Sequence, residues 1–332
     1  MFRLLLTGAL AAGLIACAGF ATSSAQDKTQ PKKKNERIAI ADPMEAAKDP
    51  DFGIQGEYAG KDVGVQVVAR GNGEFDVKVL KGGLPGDGWD GKTTTRAHAK
   101  RNEQGDAVIT GKEISGTIGK GKLTLEGGAT LSKVERKSPT LGAKAPEGAT
   151  ILFGKPGDEQ NWNGGKIVKL SDGEFLNMGI TSKAKFGAFK AHVEFRTPWM
   201  PNSSGQGRGN SGVYLQNRYE LQVLDSFGLN GENNECGGIY TLHKPLVNMC
   251  LPPLTWQTYD IEFTPAEFDS AGKKTKDARA TVLHNGVKIQ DNVDLKAPTG
   301  GGQPESPMPG PFQLQNHGDP LVYNNIWVVE MK

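Results

Sequence analysis

Four segments of this 332-residue chain place polar, chemically capable side chains on one strand face and apolar ones on the other. In an extended strand successive side chains point to opposite sides, so period two assigns the faces. In Tyr219-Glu220-Leu221-Gln222-Val223, Leu221 and Val223 face a core, leaving Glu220 and Gln222 together on the other side. In the segment from Asn210 to Gln216, Val213 and Leu215 are apolar, and Asn210 and Tyr214 share the opposite parity. In the segment from Phe312 to His317, Phe312 and Leu314 face inward and Gln315 and His317 outward. In His192-Val193-Glu194-Phe195-Arg196, the outward set is His192, Glu194 and Arg196. An ordinary solvated face would be rich in Lys and Glu. This set of Glu, Arg, Tyr, Gln, Asn and His suits a ligand that needs many directed hydrogen bonds, such as a sugar. The expectation is that the four strands share one sheet and line a concave polar surface.

A glycosidase with two carboxylates needs them roughly 5–9 Å apart. The same-face neighbour of Glu220 is Gln222, and an amide is neither a nucleophile nor a general acid. A second carboxylate would have to come from elsewhere, with Glu194 the candidate. The local pattern therefore weakens that mechanism without excluding it.

The elements that must position these residues are strands. Residues 149–332 read as strands at 166–170, 174–180, 188–197, 210–217, 219–225, 258–264, 279–284, 311–316 and 324–331, with turn signals between and no helical period. That is the pattern of an all-β sandwich or jelly roll. Asn285-Gly286 between β-branched flanks predicts a tight hairpin. Residues 296–311, rich in Pro and Gly, must be a loop, and long loops in compact domains are often functional. Upstream, residues 51–140 also alternate: Val63, Val65, Val67, then Phe75, Val77, Val79, then Leu123 and Leu125. They predict a small β-rich N-terminal domain, with the boundary in the Pro- and Gly-containing stretch from Ser138 to Gly148. Trp89, in the Gly-rich loop after the second of these runs, is either a sugar platform or a pin for that loop.

Residues 26–50 are polar and predict a flexible linker, its Lys32-Lys33-Lys34 run a solvated tether. Residues 1–25 combine Arg3, an apolar run from Leu4 to Ala16, and small residues. This is a secretory signal, too short in its apolar core to span a bilayer. Ser23-Ser24-Ala25 fits cleavage of a secreted protein. Leu14-Ile15-Ala16-Cys17 fits lipidation at Cys17, the one route to a membrane. The expected location is thus outside the cytoplasm: periplasmic, cell-envelope or secreted. Of three cysteines, Cys17 lies in the signal, leaving Cys236 and Cys250. In an oxidising compartment they predict a disulfide contributing about 3 kcal/mol; the alternative is two buried thiols. Net charge is +2, and no Lys/Arg cluster is interleaved with aromatics, so no nucleic-acid surface is expected.

One further observation concerns order and spacing. Leu152-Phe153-Gly154, Trp162, Glu194-Phe195-Arg196, Asn210-Ser211-Gly212-Val213-Tyr214, Tyr219 to Asp225, Gly238-Ile239-Tyr240, Trp256, Asn285-Gly286-Val287 and Gly310 to Gly318 together resemble the 3-keto-disaccharide hydrolase family. The resemblance covers about residues 149–332 and implies a concanavalin A-like sandwich. The chain has Asn316 where the family often has aspartate, and Asn324 where it often has arginine. The implied substrates are glycosides oxidised at C3. A C3 ketone acidifies the C2 proton; a base removes it, the C1 aglycone leaves, and water adds to the glycal. On this reading His317 and Glu220 are the acid/base pair, and Glu194 and Arg196 support an enolate or a metal. Asn210, Tyr214, Gln222 and Gln315 hold hydroxyls. A divalent metal is possible, but no dedicated metal motif assigns its ligands. The partner is an oligosaccharide or glycoside. A carbohydrate-binding module and a two-carboxylate glycosidase remain the alternatives.

Overall fold

The computed structural model describes residues 37–331, nearly all of them strand, turn or loop. The expected signal, its Cys17 and Ser23-Ser24-Ala25 alternatives and the lysine run lie outside the described residues. Two short helices come first, α1 (Pro43–Ala46) and α2 (Pro50–Ile54), each with an aspartate N-cap and proline in its first turn. The first falls within the expected 26–50 linker, and the second starts at its last residue and opens the segment expected to be β-rich. From residue 37 that stretch is docked rather than free: Arg37 pairs with Asp319, and Ile40 exchanges backbone hydrogen bonds with Trp199.

Eight strands follow: β1 (Gly56–Gly60), β2 (Val63–Gly71), β3 (Glu74–Lys81), β4 (Thr94–Arg101), β5 (Ala107–Thr110), β6 (Gly116–Gly119), β7 (Lys122–Leu125) and β8 (Thr130–Val134). They close into an antiparallel barrel through the pairing of β1 with β8. Closure removes every sheet edge. Period two supplies the interior, with Val65, Val67, Phe75, Val77, Ile109, Leu123 and Leu131 all buried. Alanines 69, 97, 99 and 107 keep its volume small.

The second half is a sandwich. Its strands are β9 (Thr150–Phe153), β10 (Trp162–Asn163), β11 (Ile167–Leu170), β12 (Gly173–Leu176), β13 (Ile180–Phe186), β14 (Phe189–Arg196), β15 (Ser211–Leu215), β16 (Tyr219–Val223), β17 (Gln257–Thr264), β18 (Glu267–Phe268), β19 (Lys274–Lys276), β20 (Ala278–His284), β21 (Val287–Leu295), β22 (Gly310–Leu314) and β23 (Val322–Glu330). One sheet has the order β10-β13-β22-β15-β16, the other β11-β12-β23-β14-β17-β20-β21 with β9 alongside β23, while β18 and β19 pair only with each other. Their inner faces share a core in which Phe186, Phe189, Phe263 and Phe312 meet ring to ring, with Phe189 and Phe312 4.9 Å apart. Each such buried ring contributes roughly 1.5–3 kcal/mol by area. The Asn285-Gly286 hairpin is present, with φ of 49° and 78°, the left-handed pair that a two-residue turn needs. Barrel and sandwich belong to one compact unit.

The expected Cys236–Cys250 disulfide is not formed; both are buried free thiols. Each sulfur has its own polar partner. The Tyr259 hydroxyl donates to the Gln222 carbonyl at 2.7 Å, so Cys236 donates to Tyr259 at 3.1 Å. Cys250 reaches the Leu224 carbonyl at 3.5 Å, and burial pushes its thiol pKa up, favouring the protonated form.

Candidate active site

Glu220 and Gln222 emerge from β16 on the face away from the sandwich core, as period two requires. That face is not solvated. The segment after β16 returns alongside it: Gln222 N–H donates to Gly238 O, Gly237 N–H to Gln222 O and Tyr240 N–H to Glu220 O. The loop 296–309 covers the other side, held by Arg218, which donates to the carbonyls of Pro304 and Met308 and to Ser306 Oγ. Between these walls lies a cleft of about 420 Å³, lined by Gln206, Asn210, Glu220, Gln222, Tyr240, Gly300, Gly301, Gln315 and His317.

Glu220 is the one carboxylate among the lining residues. It is 2% exposed and bonded through Oε2 to the Tyr214 hydroxyl at 2.9 Å. Its carboxyl lies over Gly212: a Cβ there would stand 2.3 Å from Oε1. Burial pushes the Glu220 pKa up to about 7, against the Tyr214 hydroxyl, which on its own favours the carboxylate. Tyr214 is a contested donor. Its oxygen is also 2.5 Å from Gly300 O and accepts from Gln315 Nε2 at 3.1 Å. One hydroxyl proton cannot serve both Glu220 and Gly300. With Glu220 protonated, the carboxyl donates to Tyr214 and Tyr214 to Gly300. With Glu220 ionised, Tyr214 turns to it and the Gly300 carbonyl loses its donor. The cleft thus holds a carboxyl near the midpoint of its titration at neutral pH.

The amides form a second group. Gln206 Oε1 accepts from Gln222 Nε2 at 3.1 Å and from Asn210 Nδ2 at 3.3 Å. This fixes both amide planes. Asn210 Oδ1, Gln222 Oε1 and Gln315 Oε1 are buried without a hydrogen-bond partner among the described residues. Three orphaned acceptors on residues lining one cleft call for a ligand that brings donors. His317 is exposed at the same cleft. Asn316 Oδ1 accepts from Gly318 N–H at 2.7 Å, closing the turn that carries His317. Among the described residues no group of three or more His, Cys, Asp or Glu is arranged to hold a metal ion.

The structure therefore brings together Asn210, Glu220, Gln222, Gln315 and His317. Tyr214, 1% exposed, braces Glu220 from beneath rather than lining the cleft. Glu194 and Arg196 are elsewhere. They project with the expected parity, but β14 pairs with β17 and β23 in the other sheet, so the expectation that all four strands share a sheet is corrected. Arg196 pairs with Asp172 and packs against the touching rings of Phe175 and Trp256, at 5.0 and 4.9 Å. Glu194 accepts from Gly142 N–H at 2.6 Å and Asn325 Nδ2 at 2.8 Å. Gln206, Tyr240, Gly300 and Gly301 were not singled out by strand parity because they sit in loops. The glycine-rich 296–311 stretch pointed to Gly300 and Gly301, and Tyr240 lies in one of the segments that carry the family resemblance; no sequence signal pointed to Gln206.

The Glu194 surroundings make a clamp. His192, fully buried and stacked on Trp327, bonds Asp260 at 2.6 Å and Glu194 at 3.2 Å. The chain leaving the barrel crosses this spot, with Thr140 Oγ1 on Asp260 and Gly142 N–H on Glu194. Burial disfavours the imidazolium, but the hydrogen bonds to Asp260 and Glu194 overcome it and raise the His192 pKa to about 9. A raised histidine pKa stabilises the fold fully below the unfolded value near 6.5, and that contribution is lost as pH rises through about 9. Denaturant unfolding from pH 6 to 10 is expected to show stability falling over this window. His192→Gln should lack the part of that fall above about pH 7, the part below being shared with Glu220; an identical pH profile in the variant would refute the clamp.

The model of the 3-keto-alpha-glucoside-1,2-lyase-like domain matches residues 148–329 of this chain. No curated protein matches it. Among solved structures, a candidate glycosyl hydrolase from Parabacteroides distasonis is 33% identical, covering 56% of this chain and 85% of that one, with a TM-score of 0.48. A second candidate glycosyl hydrolase from the same organism is 17% identical, covering 56% of this chain and 95% of that one, with a TM-score of 0.38.

Proposed function

The chain belongs to the 3-keto-alpha-glucoside-1,2-lyase-like family, a carbohydrate-active one, and on that premise we propose that it cleaves 3-keto-glycosides by elimination followed by hydration. The observation that carries this is the cleft's pairing of one buried carboxyl with a raised pKa and three unpartnered amide oxygens. Sugar hydroxyls supply the donors that Asn210, Gln222 and Gln315 lack. They orient the ring so that the C2 proton faces Glu220. A base with a pKa near 7 is half ionised at neutral pH and still basic enough to accept a carbon-bound proton made acidic by the C3 ketone. His317 and the Tyr240 hydroxyl are the donors left for the ketone oxygen, where charge builds as the enolate forms, and for the departing aglycone oxygen. Loss of the aglycone leaves the C1–C2 double bond, and water then adds at C1. A single lining carboxylate supports this route over a two-carboxylate glycosidase. Export to the cell envelope or beyond completes the proposal, on the strength of the N-terminal signal pattern.

The test offers the mature protein a 3-keto-glucoside with a chromogenic aglycone alongside its unoxidised parent. Release from the keto-glycoside alone is the expected result. Release from the parent alone would point to a two-carboxylate glycosidase. Saturable binding without release from either would leave a carbohydrate-binding module.

A further inference from the structure

None of the cleft's lining residues comes from the barrel, yet the barrel grips both segments that build one cleft wall. The first is the loop after β16. Lys78 on β3, 4% exposed, donates to Leu229 O at 2.8 Å. Arg96 on β4 donates to Asn230 Oδ1 at 2.8 Å and reaches Gly228 O at 3.5 Å. Gly228 has φ +76°, and a Cβ there would stand 2.4 Å from Val68 Cγ2 on β2, so the loop lies directly against the barrel wall. A few residues on, Asn234 O accepts from Gln206 Nε2 at 2.6 Å and Gln222 Nε2 at 3.3 Å. The second segment runs from Ser203 to Asn210. Its Arg208 is buried and donates to Ala69 O on β2 at 3.0 Å, two residues from Gln206 and two from Asn210.

A barrel that merely spaced the sandwich from a surface would not need a buried ammonium and a guanidinium directed at loop carbonyls and an amide. Burying an ammonium is costly unless it is partnered, as Lys78 is by the Leu229 carbonyl, and Arg96 adds its contacts from the exposed rim. Here they are paired with the loop that orients the cleft's amides. We propose that the barrel is a positioning body for the cleft. Arg96 and Lys78 hold residues 228–230, the loop holds the Asn234 carbonyl in place, and that carbonyl fixes the amide planes of Gln206 and Gln222. Arg96 and Lys78 are positioning residues, since neither reaches the cleft. The ligand side of this inference rests on the sugar-cleaving reading above; the structural side does not.

The test uses the full chain carrying Arg96→Ala, Lys78→Met or both, read first by amide hydrogen exchange. Exchange over residues 228–241 is expected to accelerate about tenfold while β13 and β22 keep their protection. With a 3-keto-glucoside, KM should rise about tenfold while kcat changes far less, because binding geometry is lost before chemistry. Arg96→Lys should recover part of both. Lys100→Ala, which removes an exposed barrel ion pair with Glu74, should change neither. Should Arg96→Ala not fold, Asn230→Ala removes the same contact from the loop side. Unchanged exchange in the loop, or acceleration spread evenly over the sandwich, would overturn the proposal. If the wild type releases no aglycone, the sugar-cleaving reading fails, and exchange alone still decides this one.

Discussion

Glu220→Gln is expected to lower turnover of a 3-keto-glucoside by about 10²–10⁴-fold, the range that a positioned acid or base contributes, with little loss of binding. The substitution is nearly isosteric. A glutamine Nε2 can donate to Tyr214 as the protonated carboxyl does, leaving Tyr214 to donate to Gly300. What disappears is the basic oxygen. Wild-type turnover should accordingly rise with pH through about 7, where Glu220 ionises, and the variant should lack that limb. Stability should move the other way. A carboxyl whose folded pKa is raised from 4.5 to about 7 costs nothing below 4.5, and its burial increasingly destabilises the fold as pH climbs to 7. The Gln variant should therefore be more stable than wild type at pH 8, by at most ~3 kcal/mol. The gain should vanish near pH 4. Activity and pH profile close to wild type would remove Glu220 from the chemistry.

Arg208→Ala is expected to cost about 3–5 kcal/mol of folding stability, the usual consequence of leaving one partner of a buried ion pair alone. Arg208 and Asp225 are 2% and 0% exposed in their side chains and 2.6 Å apart. The same guanidinium satisfies Ala69 O at 3.0 Å, so truncation strands a barrel carbonyl as well as a carboxylate. Arg208→Met combined with Asp225→Asn should recover part of the loss, because no charge then remains buried. Guanidinium unfolding with m held constant measures both. A loss below about 1 kcal/mol for Arg208→Ala would mean that water reaches Asp225 and that the Arg208 bond to Ala69 O does little to join the two halves.

Much of this was legible in the residues. Most of the longer strands of the second half follow from period two and turn chemistry, which are local properties, but β9, β13 and β21 were not expected. The left-handed φ values at Asn285 and Gly286 are of the same kind. Parity also put Glu220 beside Gln222, and Leu221 and Val223 in the core, because adjacent side chains in an extended chain have no other choice. The same rule handled β14 correctly and still misled. His192, Glu194 and Arg196 do share a face, but it belongs to the opposite sheet.

Periodicity fixes which side of a strand a residue takes; it carries nothing about which strand lies alongside. That is a matter of long-range pairing, and here β15 sits between β16 and β22 while β14 sits between β17 and β23. The expected Cys236–Cys250 disulfide fell to the same limit, since count and compartment say nothing of a nearby Tyr259 and Leu224 carbonyl. The sequence by itself thus determined an all-β chain, its strand faces and a polar set around Glu220, Gln222, Gln315 and His317. Only the tertiary structure decided that Gln206 and Tyr240 join that set from loops, that the covered face lifts Glu220 to about 7, and that Glu194 clamps the barrel's exit instead. Burial and convergence depend on what the distant chain brings to a surface, and no local spacing records it.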